Sequence, residues 1–129
     1  MVSPQRLVER LVAVINASDL DALDDLYSPG YVDHDPLPGQ PSDLDGVRAG
    51  LAMLVPPEVT PRFHLEDCFA VGDRVAYRIF GSWEAAPEFV FEAGLGSRPT
   101  LQLSGVGIFR CAHDRLVERW GRWELTSNR

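Results

Sequence analysis

The chain has 129 residues, with twelve Arg, no Lys and nineteen Asp or Glu, for a formal charge of −7. That length suits one domain over residues 1–129, with a core that needs no disulfide staple. The acidic balance, with no cluster of basic side chains, speaks against a nucleic-acid partner. No run nears the roughly 20 apolar residues of a membrane helix, and the start lacks the basic and apolar regions of a signal peptide, so no membrane partner and a cytoplasmic location are expected. Cys68 and Cys111 are far apart in apolar runs, without metal-ligand spacing to another Cys or to His. They read as buried free thiols, and no metal is expected.

Ser3 is placed to cap a helix with Pro4 at its first position. Leu7, Val8, Leu11, Val12, Val14 and Ile15 then form an apolar stripe at helical spacing, which predicts a helix to about Asn16. Ser18 with Asp21 resembles a capping box for a second short helix, with Leu20, Leu23, Leu26 and Tyr27 on its apolar face and Pro29-Gly30 as its stop. Pro36, Pro38, Gly39 and Pro41 make a loop. Ser42 with Asp45 offers a third helix start, Leu44, Val47, Leu51 and Leu54 face inward, and Pro56, Pro57 and Pro61 end it.

From Arg62 the period changes to two. Phe63, Leu65, Phe69 and Val71 share one face of a strand, and Gly72-Asp73 makes a tight turn into a second strand reaching Trp83. Between Glu84 and Pro99, Phe89 and Phe91 suggest a short strand before a loop from Gly94. Thr100–Cys111 and Leu116–Leu125 form the last hairpin, turning at Ala112, His113 and Asp114. Helices first and strands afterwards is the α+β pattern, in which helices cover one face of a mainly antiparallel sheet. A curved sheet capped by three short helices leaves a concave space, and Gly81, Gly105, Gly107 and Gly121 within the strands permit that curvature.

The run Tyr31-Val32-Asp33-His34-Asp35-Pro36, then Asp45-Gly46-Val47-Arg48, the hairpin around Gly72-Asp73 and the closing hairpin through Glu118-Arg119-Trp120 occur in an order and spacing that resemble SnoaL-like polyketide cyclases of the nuclear-transport-factor-two superfamily. The resemblance covers nearly the whole chain. It implies a cone-shaped α+β barrel enclosing one pocket, often dimeric, without metal or organic cofactor, whose members close polyketide rings by an intramolecular aldol step. Related folds host ketosteroid isomerase and limonene epoxide hydrolase. The resemblance also implies an acidic general acid/base four positions after the final-strand Trp, which from Trp120 is Glu124. Arg119 stands where many members carry His, and Gly81-Ser82-Trp83 where they carry Gly-Thr-His.

On a strand Glu118, Trp120, Arg122 and Glu124 point the same way, so one face presents two acids, an aromatic wall and a guanidinium. If that face lines the pocket, Glu124 is the catalytic carboxylate, tuned by apolar surroundings, and Trp120, Arg122 and Glu118 contact substrate. His34 is the second catalytic candidate at the pocket rim, against a plain loop contact. Tyr31, in the same run, and Arg78, on the second strand, complete the substrate-binding set, a surface Arg being the simpler reading of Arg78. Asp33 and Asp35 read as turn residues. Trp83 and Trp123 are candidates for the outer sheet face and a homodimer contact. The expected activity is a cyclase or isomerase working by carboxylate acid/base chemistry on a polyketide-like or other apolar carbonyl substrate. The rivals are an epoxide hydrolase, with Glu124 and either Glu118 or Asp33 as its acids, and a non-catalytic ligand-binding or assembly module.

Overall fold

The computed structural model describes residues 2–85 and 99–128. The expected strand around Phe89 and Phe91, and most of the loop after it, lie outside the described residues. Helix α1 spans Pro4–Ala17, with Ser3 accepting a hydrogen bond from the Arg6 N–H at 3.2 Å and Pro4 in the first turn, as the sequence predicts. It buries Leu7, Val8, Leu11, Val12 and Ile15, each worth about 1.5–3 kcal/mol when removed from water. Ser18 does not open the next helix. It closes α1 in the left-handed region (φ 54°), its N–H bonded to the Ile15 carbonyl at 3.1 Å, so the expected capping box is not formed.

A 3₁₀ turn at Leu20–Ala22 and the single turn α2 (Leu23–Leu26) follow without a side-chain cap. Tyr27 then leaves the helix and begins β1 (Tyr27–Asp33), an element the sequence reading takes as the end of a helix and a loop. β1 carries Pro29, which an edge strand tolerates because one side of its backbone needs no ladder partner. Helix α3 (Leu44–Leu54) is capped by Asp43, not Ser42, whose carboxylate accepts from the Gly46 N–H at 2.9 Å.

The remaining strands are β2 (Arg62–Val71), β3 (Arg74–Glu84), β4 (Thr100–Ala112) and β5 (Arg115–Asn128). The sheet order is β1-β5-β4-β3-β2, antiparallel except for the parallel β1/β5 pair, and the sheet is open, not closed into a barrel. Both hairpin turns fall where the sequence puts them, with Gly72 at φ 61° in one and His113 and Asp114 at φ 52° and 59° in the other. Three helices pack on one face, here called inner. No helix among the described residues is long and apolar enough to cross a membrane.

Two bulges decide which side chains reach that face. The β2/β3 register shifts between Leu65 and Asp67, so Glu66 is an extra residue and the alternation reverses behind it. Phe63 and Leu65 face the core, whereas Phe69, expected beside them, is 61% exposed on the outer face. A second shift, between Arg110 and Cys111, places Leu116 inward, Glu118 outward and Arg119 inward. At the centre of the inner face Gly107 and Gly121 are register partners. A Cβ on Gly121 would come within 2.8 Å of the Arg119 Nη2, and one on Gly107 within 2.6 Å of the Tyr77 hydroxyl. Glycine at both positions lets these polar heads lie flat against the sheet.

Candidate active site

Between α1, α3 and the inner face lies a cavity of about 90 Å³. Val8, Leu11 and Ile15 of α1, Leu51 and Leu54 of α3, and Phe63, Ile79 and Leu103 of the sheet make most of its wall apolar. Asp33 and Arg119 line it at the β1/β5 edge of the sheet, and Tyr27, Tyr31 and Tyr77 stand around them.

The parallel β1/β5 pairing sets Asp33 directly opposite Arg119. Arg119 is 2% exposed and Asp33 5%. Arg119 Nη1 donates to Asp33 Oδ1 at 2.7 Å and to the Asp35 carbonyl at 3.2 Å, while its Nε donates to the Tyr77 hydroxyl at 2.7 Å. Its guanidinium lies over the Trp123 ring, 4.5 Å from the centroid. Nη2 has no hydrogen-bond partner among the described residues. Asp33 Oδ1 also accepts from the Asp35 N–H at 2.9 Å, and among the described residues Oδ2 receives only a long contact of 3.4 Å from the Tyr31 hydroxyl.

Burial pushes the phenols of Tyr27, Tyr31 and Tyr77 above their ordinary value near 10, against the lowering influence of Arg119, so all three are neutral donors at physiological pH. For Arg119, burial is the largest single influence and works against the charge. Tyr77, Asp33 and Tyr31 together outweigh it and hold the pKa above the usual value. The chemistry available follows from the bonds. Tyr77 uses its oxygen to accept from Arg119, which leaves its own hydrogen for a ligand oxygen, and Asp33 keeps Oδ2 nearly free to take a proton.

Glu118, Trp120, Arg122 and Glu124 do share one face of β5, but it is the outer one, turned away from the cavity. Glu118 bonds His34 Nε2 at 2.8 Å and also Arg110, and first the His34 bond and then the Arg110 bond hold its carboxyl below the usual range. The His34 ring stacks on Trp120 with centroids 4.8 Å apart, and the Arg74 guanidinium also lies against that indole at 5.1 Å. Arg78 is an outer-face residue paired with Asp67 at 2.8 Å and Glu66 at 3.5 Å. Arg122 and Glu124 are exposed, in an outer groove with Arg78, Phe80 and Ser104. Of the seven expected site residues, Tyr31 alone lines the cavity. Trp83 and Trp123, expected outside, line it too. Of the two acid pairs expected for epoxide opening, Glu124 with Asp33 is divided by the sheet, and Glu124 with Glu118 lies wholly on the outer face, away from the cavity.

Arg119 and Tyr77 of this buried cluster are absent from the site set that the sequence suggests, and Asp33 enters it only as an alternative acid for epoxide opening, because Asp33 otherwise reads as a turn former and Arg119 as a departure from a family pattern. The signal that could have found them is Gly121, a strand glycine of the same parity as Arg119. Cys68 and Cys111 are free thiols, and burial, ahead of the charge of Asp73, pushes Cys111 up to about 11. Among the described residues no three His, Cys, Asp or Glu converge as a metal site would require.

No curated protein sequence matches the chain. Among solved structures, IdmH of Streptomyces antibioticus is similar over 95% of this chain and 93% of its own, with 24% identity and a TM-score of 0.72. A SnoaL-like polyketide cyclase of Agrobacterium tumefaciens is similar over 96% of this chain and 93% of its own, with 18% identity and a TM-score of 0.68. An LEH-like epoxide hydrolase of M. tuberculosis is similar over 92% of this chain and 80% of its own, with 14% identity and a TM-score of 0.67. These likenesses concern the fold, whereas the SnoaL-like domain matches the sequence itself over residues 8–119. That sequence match over most of the chain, on an open α+β fold with a polar cluster in an apolar cavity, means that the protein belongs to the SnoaL-like family.

Proposed function

We propose that the protein is an acid/base enzyme of small-molecule metabolism, a cyclase or isomerase acting on a polyketide-like or other apolar carbonyl substrate held in this cavity. The observation that carries the reading is the buried Asp33–Arg119–Tyr77 cluster in an otherwise apolar cavity. A substrate carbonyl oxygen accepts from the Tyr77 O–H, and Asp33 Oδ2 removes a proton from the adjacent carbon. The enolate oxygen gains negative charge as Asp33 loses it, so the charge facing Arg119 is conserved through the step and the guanidinium needs no rearrangement. In a cyclase the enolate carbon then attacks a second carbonyl, whose oxygen takes the proton from Asp33, and in an isomerase the proton returns to a different carbon. Fold relatives that include a polyketide cyclase are consistent with this chemistry.

Hydrogen–deuterium exchange at the α-carbons of 2-octanone in D₂O tests the reading without knowledge of the substrate. The wild type is expected to accelerate exchange over buffer, and Asp33→Asn to reduce that acceleration by about 10²–10⁴-fold. A wild type that binds the ketone but exchanges nothing makes the protein a binding module.

The free Tyr77 hydrogen also suits epoxide opening, with Asp33 activating a water and Tyr77 protonating the leaving oxygen. Diol formation from an apolar epoxide, lost in Tyr77→Phe, would move the assignment there. We further propose a cytoplasmic homodimer joined through the outer sheet face, where Phe69, Val106, Ile108 and Trp120 line an apolar depression. Sedimentation showing only a 14.3 kDa species at micromolar concentration contradicts it.

A further inference from the structure

Two buried side-chain nitrogens, Arg119 Nη2 and Trp83 Nε1, have no hydrogen-bond partner among the described residues, and both belong to residues that line the same cavity. A buried indole N–H ordinarily finds an acceptor, because leaving it unpaired forfeits the water it bonded in the unfolded chain. Trp83 is 3% exposed and packed against Phe63, with ring centroids 5.4 Å apart, so the indole is fixed and its N–H is not free to turn toward solvent.

The two donors stand toward opposite ends of the cavity. Their common neighbour β4 places Trp83 opposite Leu101 and Arg119 opposite Phe109, eight positions apart, so their roots are separated by roughly 26 Å along the strand. The Arg119 head folds back over Gly121 and Trp123, whose partners on β4 are Gly107 and Gly105, and this shortens the gap toward Trp83. Space for water-sized groups is about 90 Å³, enough at about 10–15 Å³ each for six to nine of them, and because bonded atoms lie closer together than separate waters this suits a slender molecule of about ten non-hydrogen atoms.

We propose that Trp83 is a second ligand anchor, its N–H bonding an acceptor oxygen at the end of the substrate remote from the carbonyl at Tyr77 and Arg119. The ligand class is then a slender, apolar compound with oxygen acceptors at both ends, a dicarbonyl or keto-alcohol, in place of a molecule bearing a single oxygen. The inference rests on the proposed reaction site at Asp33, Arg119 and Tyr77 and adds the recognition of the other end. A site furnished with a buried donor discriminates against analogues that leave it unpaired.

Titration calorimetry with 2-octanone and 2,7-octanedione separates the two claims. The wild type is expected to bind the dione at least tenfold more tightly, beyond the twofold advantage of having two equivalent ends. Trp83→Phe keeps an aromatic ring and removes the N–H, and is expected to bring the ratio to about twofold by weakening the dione more than 2-octanone. If 2-octanone binds and the wild-type dione advantage does not exceed twofold, the second anchor is wrong and the reaction site stands. If neither ketone binds, both are wrong. Equal weakening of both ligands in Trp83→Phe assigns the indole to packing and overturns the proposal. Should that variant not fold, the wild-type ratio alone decides.

Discussion

Arg119 and Arg122 lie three residues apart on one strand and live in different worlds. Arg119 faces the cavity, where a carboxylate, a phenol, a carbonyl and an indole ring surround it and only 2% of its surface is exposed. Arg122 faces outward, exposed beside Arg78 and Glu124 in an open groove. The same chemistry therefore does different things on the two faces of one sheet. On the outer face charges are screened and replaceable, whereas on the inner face each charge survives only through its partner.

The largest expected effect breaks that comparison if it fails. Arg119→Leu leaves Asp33 buried and unpaired and should cost about 3–5 kcal/mol, whereas Arg122→Leu should stay within about 0.5 kcal/mol of wild type. Urea unfolding of the two variants measures both, and equal losses would mean that the inner pair is not energetically distinct. Adding Asp33→Asn to Arg119→Leu should recover part of the loss, because no ion is then left without its counterpart.

The pH dependence of stability sharpens the contrast. Tyr27, Tyr31 and Tyr77 have folded pKa values above the unfolded value near 10, chiefly because burial disfavours the phenolate. Their contribution is complete below pH 10 and is lost as pH rises beyond it, since only the unfolded chain then releases the protons. Three such groups give a fall on the order of 4 kcal/mol per pH unit, and Tyr27→Phe should remove about a third of the slope. Glu118 on the outer face runs the other way. Its pKa lies below 4.5, so its contribution is present above 4.5 and disappears as pH falls through the lowered value. Equilibrium unfolding between pH 3 and 11 should show a steep alkaline limb that tracks the inner tyrosines, and a flat alkaline limb contradicts their placement.

Much of the fold could be read from local chemistry. Ser3-Pro4 marks the start of α1, Gly72-Asp73 and His113-Asp114 mark the hairpins, and the change of period at Arg62 marks the passage from helices to sheet. What escaped depends on contacts between distant residues. β1 contains Pro29 and Gly30 and pairs in parallel with a strand some 90 residues away, so nothing near it announces a strand. Glu66 and the bulge before Glu118 reverse the alternation without any glycine to signal it. The stretch Arg119-Trp120-Gly121-Arg122-Trp123 is nearly symmetric, with one Arg and one Trp at odd positions and one of each at even positions, so composition alone does not choose the face. Asp33 makes the choice, by supplying a buried partner to Arg119 from the strand alongside. Tyr31, in the same recognisable run as Asp33, lines the cavity, whereas the face of β5 that the resemblance favoured is the outer one.

The smallest expected effect, none at Glu124, closes the comparison. Glu124, the carboxylate the sequence favours, sits on the outer face, and Asp33, which it ranks lower, sits on the inner, so the α-exchange of 2-octanone in D₂O with Asp33→Asn and Glu124→Gln side by side measures the central claim. The account predicts a loss of about 10²–10⁴-fold for Asp33→Asn and wild-type exchange for Glu124→Gln. The reverse pattern, with exchange intact in Asp33→Asn and lost in Glu124→Gln, would contradict it and return the chemistry to the outer face of the sheet.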